Sequence, residues 1–428
     1  MLFENTFPTH RPTEEDLMSE SEEKIIVPVN WPKMYAKRAE GLSASAIREI
    51  LKLTAKPEII SFAGGLPANE LLPCKEVRKA ANIVLSDKKT KCVAMQYGAT
   101  EGYGPLKEYL CERMREYNVP AEVGNVTITN GAQGAIFLSG LMFIDRGTMV
   151  LVESPTYLGM IQAWTHLGAK FCTIPIDKDG MMVDLLPGII EKYHPKIIYT
   201  MPDFHNPAGV TMSLERRIKF AEIVSAHDDI IVIEDNPYGK LRYEGEHLPP
   251  IVSLAKEHTF YLGTVSKIMA PGLRVGWMVA PKEPVAKMFQ AIQGECLFTS
   301  VFLQMLVHNI FTSGAIDERI LKIRNIYRKR RDTMLREMEK HFPKEIVWTY
   351  PEGGLFLWVT TPGNINSLEL FKSALEENVA FVPGASFYAN GEEKGLHTFR
   401  MNFSFSSEKQ IRTGIKRLGL ALRKALAS

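Results

Sequence analysis

Ile-Val-Ile-Glu-Asp-Asn-Pro-Tyr, residues 231–238, decides the fold class of this 428-residue chain. Its apolar start without polar alternation predicts a strand buried on both faces, which is typical of a parallel sheet. The strand ends in Glu234 and Asp235. Because ligands of open α/β sheets bind at the carboxyl ends of strands, one of these acids is expected to face a site. Strand alternation leaves open which one, and Asp235 could instead cap the following turn.

Six further runs of this kind lie along the sequence, and helical patterns such as residues 213–227 separate most of them. The seven predicted strands are Val126–Thr129, Thr148–Glu153, Lys170–Pro175, Lys196–Met201, Ile230–Glu234, Thr259–Gly263 and Val275–Ala280. Strands that alternate with helices indicate βαβ units. We therefore expect an α/β fold with a mainly parallel seven-stranded sheet sandwiched by helices.

The remainder of the chain predicts a smaller α+β domain. One long charged helix is expected from about Asp317 to Lys340, and a first helix from about Ser45 to Leu53. Four strand-like runs follow the long helix, namely Ile346–Tyr350, Leu355–Val359, Val379–Val382 and Phe399–Phe405. The predicted division is an arm at 1–44, a large domain at 45–320 whose early residues could pack with the small domain, and a small domain at 321–428.

Composition favours an ordinary globular protein and argues against several classes. Apolar residues make up 45% and charged residues 23% of the chain, and the net charge of +2 attracts neither nucleic acid nor an anionic membrane. The five cysteines are scattered without a C-x-x-C pair, which argues against a disulfide framework or a metal site and favours the cytoplasm. Neither a run of roughly 18 apolar residues nor a secretory signal is expected.

A lysine flanked by hydroxyls follows one of the predicted strands. Thr264-Val-Ser-Lys267 is followed by Arg274 seven residues later. The amine of Lys267 could form a Schiff base, and the hydroxyls of Thr264 and Ser266 with Arg274 could hold a phosphate. Considered alone, a surface lysine in a turn explains this cluster better.

Two strand-to-helix loops add weaker indications. Thr-Asn-Gly-Ala-Gln-Gly at 129–134 would present backbone N–H groups at a positive helix end, which favours a phosphate. Asn206, in Pro-Asp-Phe-His-Asn-Pro-Ala-Gly at 202–209, precedes a proline, so its amide could project from a strand end towards a phenolic oxygen. Alone, the first loop is equally typical of a tight turn, and the second contains a common turn pattern that is a weak indication. Neither a P-loop nor a dinucleotide fingerprint is present.

Together and in this order, the clusters resemble the fold-type I pyridoxal-phosphate-dependent aminotransferases of class I. Within that family they look like the branch of kynurenine, 2-aminoadipate and aromatic multi-substrate aminotransferases. The resemblance extends from about Ser43 to the C-terminus. It includes Ser-Phe-Ala-Gly-Gly-Leu-Pro at 61–67, Gln-Tyr-Gly at 96–98, Glu-Ser-Pro-Thr-Tyr at 153–157 and Phe-Arg-Met-Asn-Phe at 399–403.

The resemblance implies a ping-pong aminotransferase that moves the amino group of an L-amino acid to 2-oxoglutarate. Aromatic amino acids, kynurenine, 2-aminoadipate and leucine are the implied donors. A β-lyase or decarboxylase on the same scaffold is the alternative reaction. A transcription regulator with an aminotransferase-like sensor domain is a further alternative, although such regulators place a winged-helix domain first and only about 45 residues precede the match here.

The resemblance also implies a role for each matching residue. Lys267 would hold the cofactor and carry a proton between the substrate Cα and the cofactor. The other cofactor contacts would be Asp235 at the pyridine nitrogen, Asn206 and Tyr238 at the ring oxygen, Tyr157 on the ring face, and Ala132, Gln133, Thr264, Ser266 and Arg274 at the phosphate. Gly65, Asn206 and Arg400 would contact the substrate, and Arg400 would grip its carboxylate. Tyr97 would reach the phosphate of the neighbouring subunit in a homodimer with shared sites.

Some of these residues have structural alternatives. Apolar and polar residues alternate around Arg400, which places it away from the packed side of its strand, although a structural ion pair would also explain it. Tyr97 and Tyr157, taken singly, are better explained as core. Ala132, His205 and Ala208 depart from the residues that many relatives have, and none of the three removes a reacting group.

Overall fold

The structure, a computed structural model, describes residues 28–39, 50 and 56–427. The chain forms two compact units, Met1–Gly41 and Leu42–Ser428. In the described part of the first unit, helix α1 spans Trp31–Met34. The helix predicted at 45–53 lies outside the described residues except for Ile50, which is helical.

Strands of the second unit form three sheets within the described residues. They are β1 Ile60–Ser61, β2 Val126–Thr129, β3 Met149–Ser154, β4 Lys170–Asp177, β5 Gly180–Met181, β6 Ile197–Thr200, β7 Ile231–Asp235, β8 Thr259–Thr264, β9 Gly276–Val279, β10 Val347–Trp348, β11 Phe356–Thr360, β12 Val379–Ala380, β13 Val382–Pro383 and β14 Thr398–Asn402.

Helices of the second unit precede, separate and follow these strands. They are α2 Cys74–Ser86, α3 Thr90–Met95, α4 Gly104–Arg115, α5 Gly131–Phe143, α6 Leu158–Thr165, α7 Leu186–Tyr193, α8 Leu214–Ser225, α9 Ile251–Leu254, α10 Lys282–Cys296, α11 Val301–Thr312, α12 Ala315–His341, α13 Ser367–Glu376 and α14 Glu408–Ala427. No helix of the described residues combines the length and the apolarity needed to cross a membrane.

The large sheet contains all seven predicted strands. Its order is β2-β9-β8-β7-β6-β3-β4-β5, so the two-residue strand β5 extends it to eight. The neighbours from β8 through β7, β6 and β3 to β4 are parallel. The pairs β2–β9, β9–β8 and β4–β5 are antiparallel. The expectation of a mainly parallel sheet is therefore confirmed.

Helices cover both faces of this sheet, as its apolar strands require. Ile233 of β7 packs in one core cluster with Ile136 of α5. Its neighbour Val232 packs in a different cluster with Phe220 of α8. Since successive strand residues point to opposite faces, the absence of polar alternation in β7 follows from burial on both sides.

A second, antiparallel sheet has the order β10-β11-β14-β13. It follows the long helix α12, as predicted. The strand predicted at 399–405 ends earlier, at Asn402, because the Asn402 side chain accepts the backbone N–H groups of Ser404 (3.1 Å) and Phe405 (3.2 Å) and turns the chain. The early strand β1 pairs in parallel with β12. The division into domains at residue 320 stays a prediction.

Candidate active site

Twelve of the thirteen predicted site residues line one cavity of ≈ 260 Å³, at the carboxyl ends of the parallel strands. They are Gly65, Ala132, Gln133, Tyr157, Asn206, Asp235, Tyr238, Thr264, Ser266, Lys267, Arg274 and Arg400. Because they come from the ends of β7 and β8, from β14, and from the segments after β1, β2, β3, β6, β7 and β8, only the folded chain brings them together.

Asp235 is the acid of the pair at the end of β7 that lines the cavity. Its Oδ2 accepts a 2.6 Å hydrogen bond from the Tyr199 hydroxyl, whereas its Oδ1 is buried and has no partner among the described residues. Burial raises the pKa of Asp235 to about 6, and the Tyr199 hydroxyl and Lys267 limit that rise. A buried carboxylate oxygen without a partner is costly, so this atom is suited to a cationic or N–H group in the cavity.

Glu234, the other acid of the pair, points to the opposite face of the sheet. Its carboxylate accepts the backbone N–H groups of Ile251 and Val252 at the start of α9, both at 2.9 Å. Burial raises its pKa to about 7. The ambiguity in the sequence is therefore resolved, since Glu234 holds a helix start and Asp235 faces the cavity.

The amine of Lys267 lies in the same cavity and donates a 2.8 Å hydrogen bond to the carbonyl oxygen of Gly65. Burial, together with the charges of Arg400 and Arg274, lowers its pKa to about 8, although Asp235 partly offsets them. A side chain at position 65 would meet the Phe356 ring, since a Cβ there would lie 2.8 Å from its Cζ.

Another part of the cavity wall, the anion seat, carries groups that favour the binding of an anion. Helix α5 begins at Gly131, whose backbone is left-handed at φ +70°, so the amides of its first turn include those of Ala132 and Gln133. Free N–H groups at a helix start favour anions. A Cβ on Gly131 would lie 2.5 Å from the Arg274 guanidinium, and a Cβ on Gly276 would lie 2.7 Å from the Ala132 nitrogen.

Hydroxyls and a guanidinium complete this anion seat. The hydroxyls of Thr264 and Ser266 lie 3.0 Å apart, and Arg274 donates to the carbonyl oxygen of Asn130 (2.9 Å). Ala132 contributes no hydroxyl, so these groups and the backbone amides supply the donors. The arrangement can bind a phosphate group.

Arg400 is a buried cation, only 2% exposed, without a carboxylate partner among the described residues. Its Nη1 donates to Asn206 Oδ1 and its Nη2 to the carbonyl oxygen of Ala63, both at 2.8 Å, while its Nε has no partner among those residues. The guanidinium carbon lies 4.1 Å from the centre of the Phe356 ring. The structure therefore gives no support to a structural ion pair and leaves the guanidinium facing the cavity.

Two tyrosines line the cavity and also pack against the core. Tyr157 donates from its hydroxyl to Gln133 Oε1 at 3.1 Å, and burial raises its pKa to about 12. Burial also raises the pKa of Tyr238 well above its usual value. Both hydroxyls stay protonated at neutral pH.

Tyr97 is the predicted site residue that the cavity does not include. Its side chain is 76% exposed, and its ring meets that of Phe298 edge-on, with centroids 5.7 Å apart. The role expected for Tyr97 in a neighbouring subunit stays a prediction.

Tyr199 and Phe356 are among the residues of the site that were missed from the sequence. Tyr199 binds Asp235 from the neighbouring strand β6, and its position as the one aromatic residue of that strand was the available indication. Phe356 borders Gly65 and Arg400, and nothing in its local sequence separates it from a core residue. His205, one of the departures, lies 3.2 Å from the buried Glu153 and accepts the Ala208 N–H at its Nδ1 (3.3 Å).

Comparison with known proteins places these features in a family. A family model described as aminotransferase class I and II matches residues 57–418. The chain is 40% identical over 419 residues to the aromatic-amino-acid aminotransferase 1 of Thermococcus litoralis, which covers 96% of this chain and 99% of that protein. It is also 40% identical over 404 residues to the 2-aminoadipate transaminase of Thermus thermophilus, covering 94% and 99%.

A solved structure shows the same fold. The kynurenine aminotransferase of Pyrococcus horikoshii, in complex with PMP, superimposes with a TM-score of 0.88 at 38% sequence identity. The match covers 93% of this chain and 99% of that one. Most of the chain thus has a counterpart of known architecture.

The lowered pKa of Lys267 is directly measurable. In competitive labelling of the cofactor-free protein with acetic anhydride, read by mass spectrometry, the reactivity of Lys267 should rise with pH up to about 8 and then stay level, since only the neutral amine reacts. An ordinary lysine gains reactivity up to about pH 10.4 and serves as the internal control. A Lys267 profile that still climbs near that pH would contradict the buried, cation-flanked amine.

Proposed function

Because the chain belongs to the aminotransferase class I and II family, we propose that its cavity transfers the amino group of an aromatic, kynurenine, 2-aminoadipate or leucine-like L-amino acid to 2-oxoglutarate. The protein is a pyridoxal-phosphate-dependent transaminase of fold type I. One observation carries the assignment of the site. A single cavity holds the amine of Lys267, the unpartnered Oδ1 of Asp235 and the carboxylate-free guanidinium of Arg400.

The residues present fit pyridoxal phosphate. When bound, this cofactor supplies a protonated ring that withdraws electrons from the substrate Cα. Asp235 would hold the ring nitrogen, because with a pKa of about 6 it is ionised at neutral pH and its Oδ1 is free. The anion seat would hold the phosphate, through Ala132, Gln133, Thr264, Ser266 and Arg274.

The remaining ring contacts would come from three side chains of the cavity wall. Asn206 and Tyr238 would bind the ring oxygen, and Tyr157 would stack on the ring face. Tyr199 supports the site by holding Asp235 through its hydroxyl. Since that hydrogen bond favours the ionised form of Asp235, it keeps the acid charged despite its burial.

Lys267 would act on the substrate as a proton carrier. A general base works best when its pKa lies near the working pH, and burial with two nearby cations brings the Lys267 amine to about 8. Its position beside Gly65 places the amine next to the space where Arg400 would hold a substrate. The amine could therefore take the proton from the substrate Cα and return it to a neighbouring atom.

Arg400 would bind the substrate carboxylate as a two-pronged fork. Burial lowers its pKa to about 10, so it stays charged at neutral pH. An incoming carboxylate would supply the missing counter-charge. The described cavity wall also includes Phe356, Tyr157 and Ile136, which favours donors with apolar or aromatic side chains.

The proposed reaction is tested by visible absorption of the purified, cofactor-loaded protein. Candidate amino acids are added singly without an acceptor, followed by 2-oxoglutarate. We expect the visible absorption band of the bound cofactor to bleach when a donor is added and to return when 2-oxoglutarate is added. The rates of bleaching rank the donors. A band that no amino acid bleaches reversibly would instead favour the lyase, decarboxylase or sensor alternatives.

Replacing Arg400 by lysine should weaken substrate binding specifically. The variant keeps the charge but loses the fork, so kcat/KM for amino acids should fall about 10- to 100-fold, mainly through KM. The exposed Arg412→Lys variant on α14 is the matched control and should behave as the unmodified chain does. With an amine that lacks a carboxylate, the Arg400 variant and the parent should react alike; an unchanged KM for amino acids would refute the assignment.

We further propose that the protein works as a cytoplasmic homodimer in which Tyr97 serves the partner's site. The exposure of Tyr97 supports this, and so does that of its apolar neighbours Val93, Met95 and Leu297, because such a surface favours an interface. All five cysteines are free, three of them exposed, which suits a reducing compartment.

Mixed dimers test the sharing of sites. Lys267→Ala and Tyr97→Ala chains are each expected to be inactive or weak alone. After mixing and exchange of subunits, activity should recover, because each hybrid dimer has one site with both residues intact. If Tyr97 serves its own subunit, mixing restores nothing, and light scattering that gives a monomer would also rule out the shared site.

A further inference from the structure

A bridge of three side chains, two of which are buried, joins the turns that follow β6 and β7. The carboxylate of Asp203 accepts from Arg217 Nη2 at its Oδ1 (2.6 Å) and from Asn236 Nδ2 at its Oδ2 (2.8 Å). Asp203 stands three residues before Asn206, and Asn236 directly follows Asp235. The bridge therefore connects the segment whose Asn206 would contact the ring oxygen with the segment whose Asp235 would contact the ring nitrogen.

Arg217 holds the Asp203 side chain of the bridge in place. It comes from α8, is 0% exposed, and has Asp203 as its carboxylate partner within the described part of the chain. Its other hydrogen bonds go to the carbonyl oxygens of Met212 (3.0 Å), Pro249 (3.0 Å) and Pro202 (3.1 Å). A fully buried cation is costly without its partner, so Asp203 is held in one orientation and both its oxygens are used.

The turn beyond Asp203 needs such support. Phe204 is fully buried and has a left-handed backbone at φ +51°, which is unfavourable for a bulky residue. Strain of this kind persists only where the surroundings hold it. On the other side of the bridge, Asn236 Oδ1 accepts the Gly239 N–H (2.8 Å) and so shapes the turn that carries Tyr238.

We propose that Asn236 and Asp203 are positioning residues that hold Asn206 at a fixed place relative to Asp235. The inference rests on the roles proposed above for Asn206 and Asp235. The cofactor ring is rigid, so its oxygen and its nitrogen must be hydrogen-bonded at the same time by groups at a fixed separation. Hydrogen bonds weaken steeply when their angle or distance is wrong. The bridge itself lines no part of the cavity; it acts through the Asn206 amide.

The Asn236→Ala variant tests this while leaving the Arg217–Asp203 pair intact. The readout is the pH midpoint at which the visible band of the lysine-bound cofactor changes. A poorly placed Asn206 amide leaves more negative charge on the ring oxygen. The nitrogen that links Lys267 to the cofactor lies near this oxygen and therefore keeps its proton to higher pH. We expect the midpoint to rise by about half a unit to one unit, the shift that loss of one hydrogen bond produces.

Asn125→Ala is the matched control. Like Asn236, Asn125 makes two hydrogen bonds through its side-chain amide, to the Ala280 carbonyl oxygen (2.9 Å) and from the Glu122 N–H (3.1 Å), but it lies at the amino end of the edge strand β2, opposite the end that leads into the cavity. It should lower the Tm and leave the midpoint unchanged. An Asn236→Ala variant that likewise lowers only the Tm would overturn the proposal, because the bridge would then be structural alone.

A double variant separates this inference from the roles on which it rests. If Asn236 acts through Asn206, then Asn206→Ala with Asn236→Ala has the same midpoint as Asn206→Ala alone. Additive shifts contradict that dependence. If Asn206→Ala shifts the midpoint and Asn236→Ala does not, only the positioning role fails. If Asn206→Ala itself has no effect, the proposed contact with the ring oxygen fails, and the inference fails with it.

Discussion

The grouping of Lys267, Arg274, Arg400 and Asp235 around one cavity, with Asp235 and Arg400 buried, is the constraint on which the chemistry depends. Loss of water lowers the pKa of the amine to about 8 and raises that of the carboxyl group to about 6. At neutral pH the cavity therefore has three cationic groups against one anionic group. Such a balance attracts a phosphate and a carboxylate together, and it keeps the amine close to the pH at which it can exchange a proton.

The geometry of the large sheet contributes to the placement of these charged groups around the cavity. Adjacent acids at the end of β7 point to opposite faces, so Glu234 holds the start of α9 while Asp235 enters the cavity. The apolar strands are buried on both sides and hold their ends rigidly. Side chains from different loops can then meet the same small molecule without the entropic cost of ordering those loops during binding.

Much of the fold and of the cavity wall could be predicted, because strands read as apolar runs and the polar residues that follow them lie at one edge of a parallel sheet. Residue roles that depend on contacts with neighbouring strands could not be predicted. Asp235 was separated from Glu234 only by what each one contacts, and Tyr199 was missed because its partner lies on another strand. The bridge from Asp203 to Asn236 was equally hidden, since a contact 33 residues apart leaves no local pattern.

The central claim is that Lys267 holds the cofactor, and covalent trapping tests it most directly. The purified protein is loaded with pyridoxal phosphate, reduced with borohydride, digested and mapped by mass spectrometry. The account predicts one modified peptide, which contains Lys267, and no modification in a Lys267→Arg variant loaded in the same way. A modification at another lysine, or none at all, would contradict the claim.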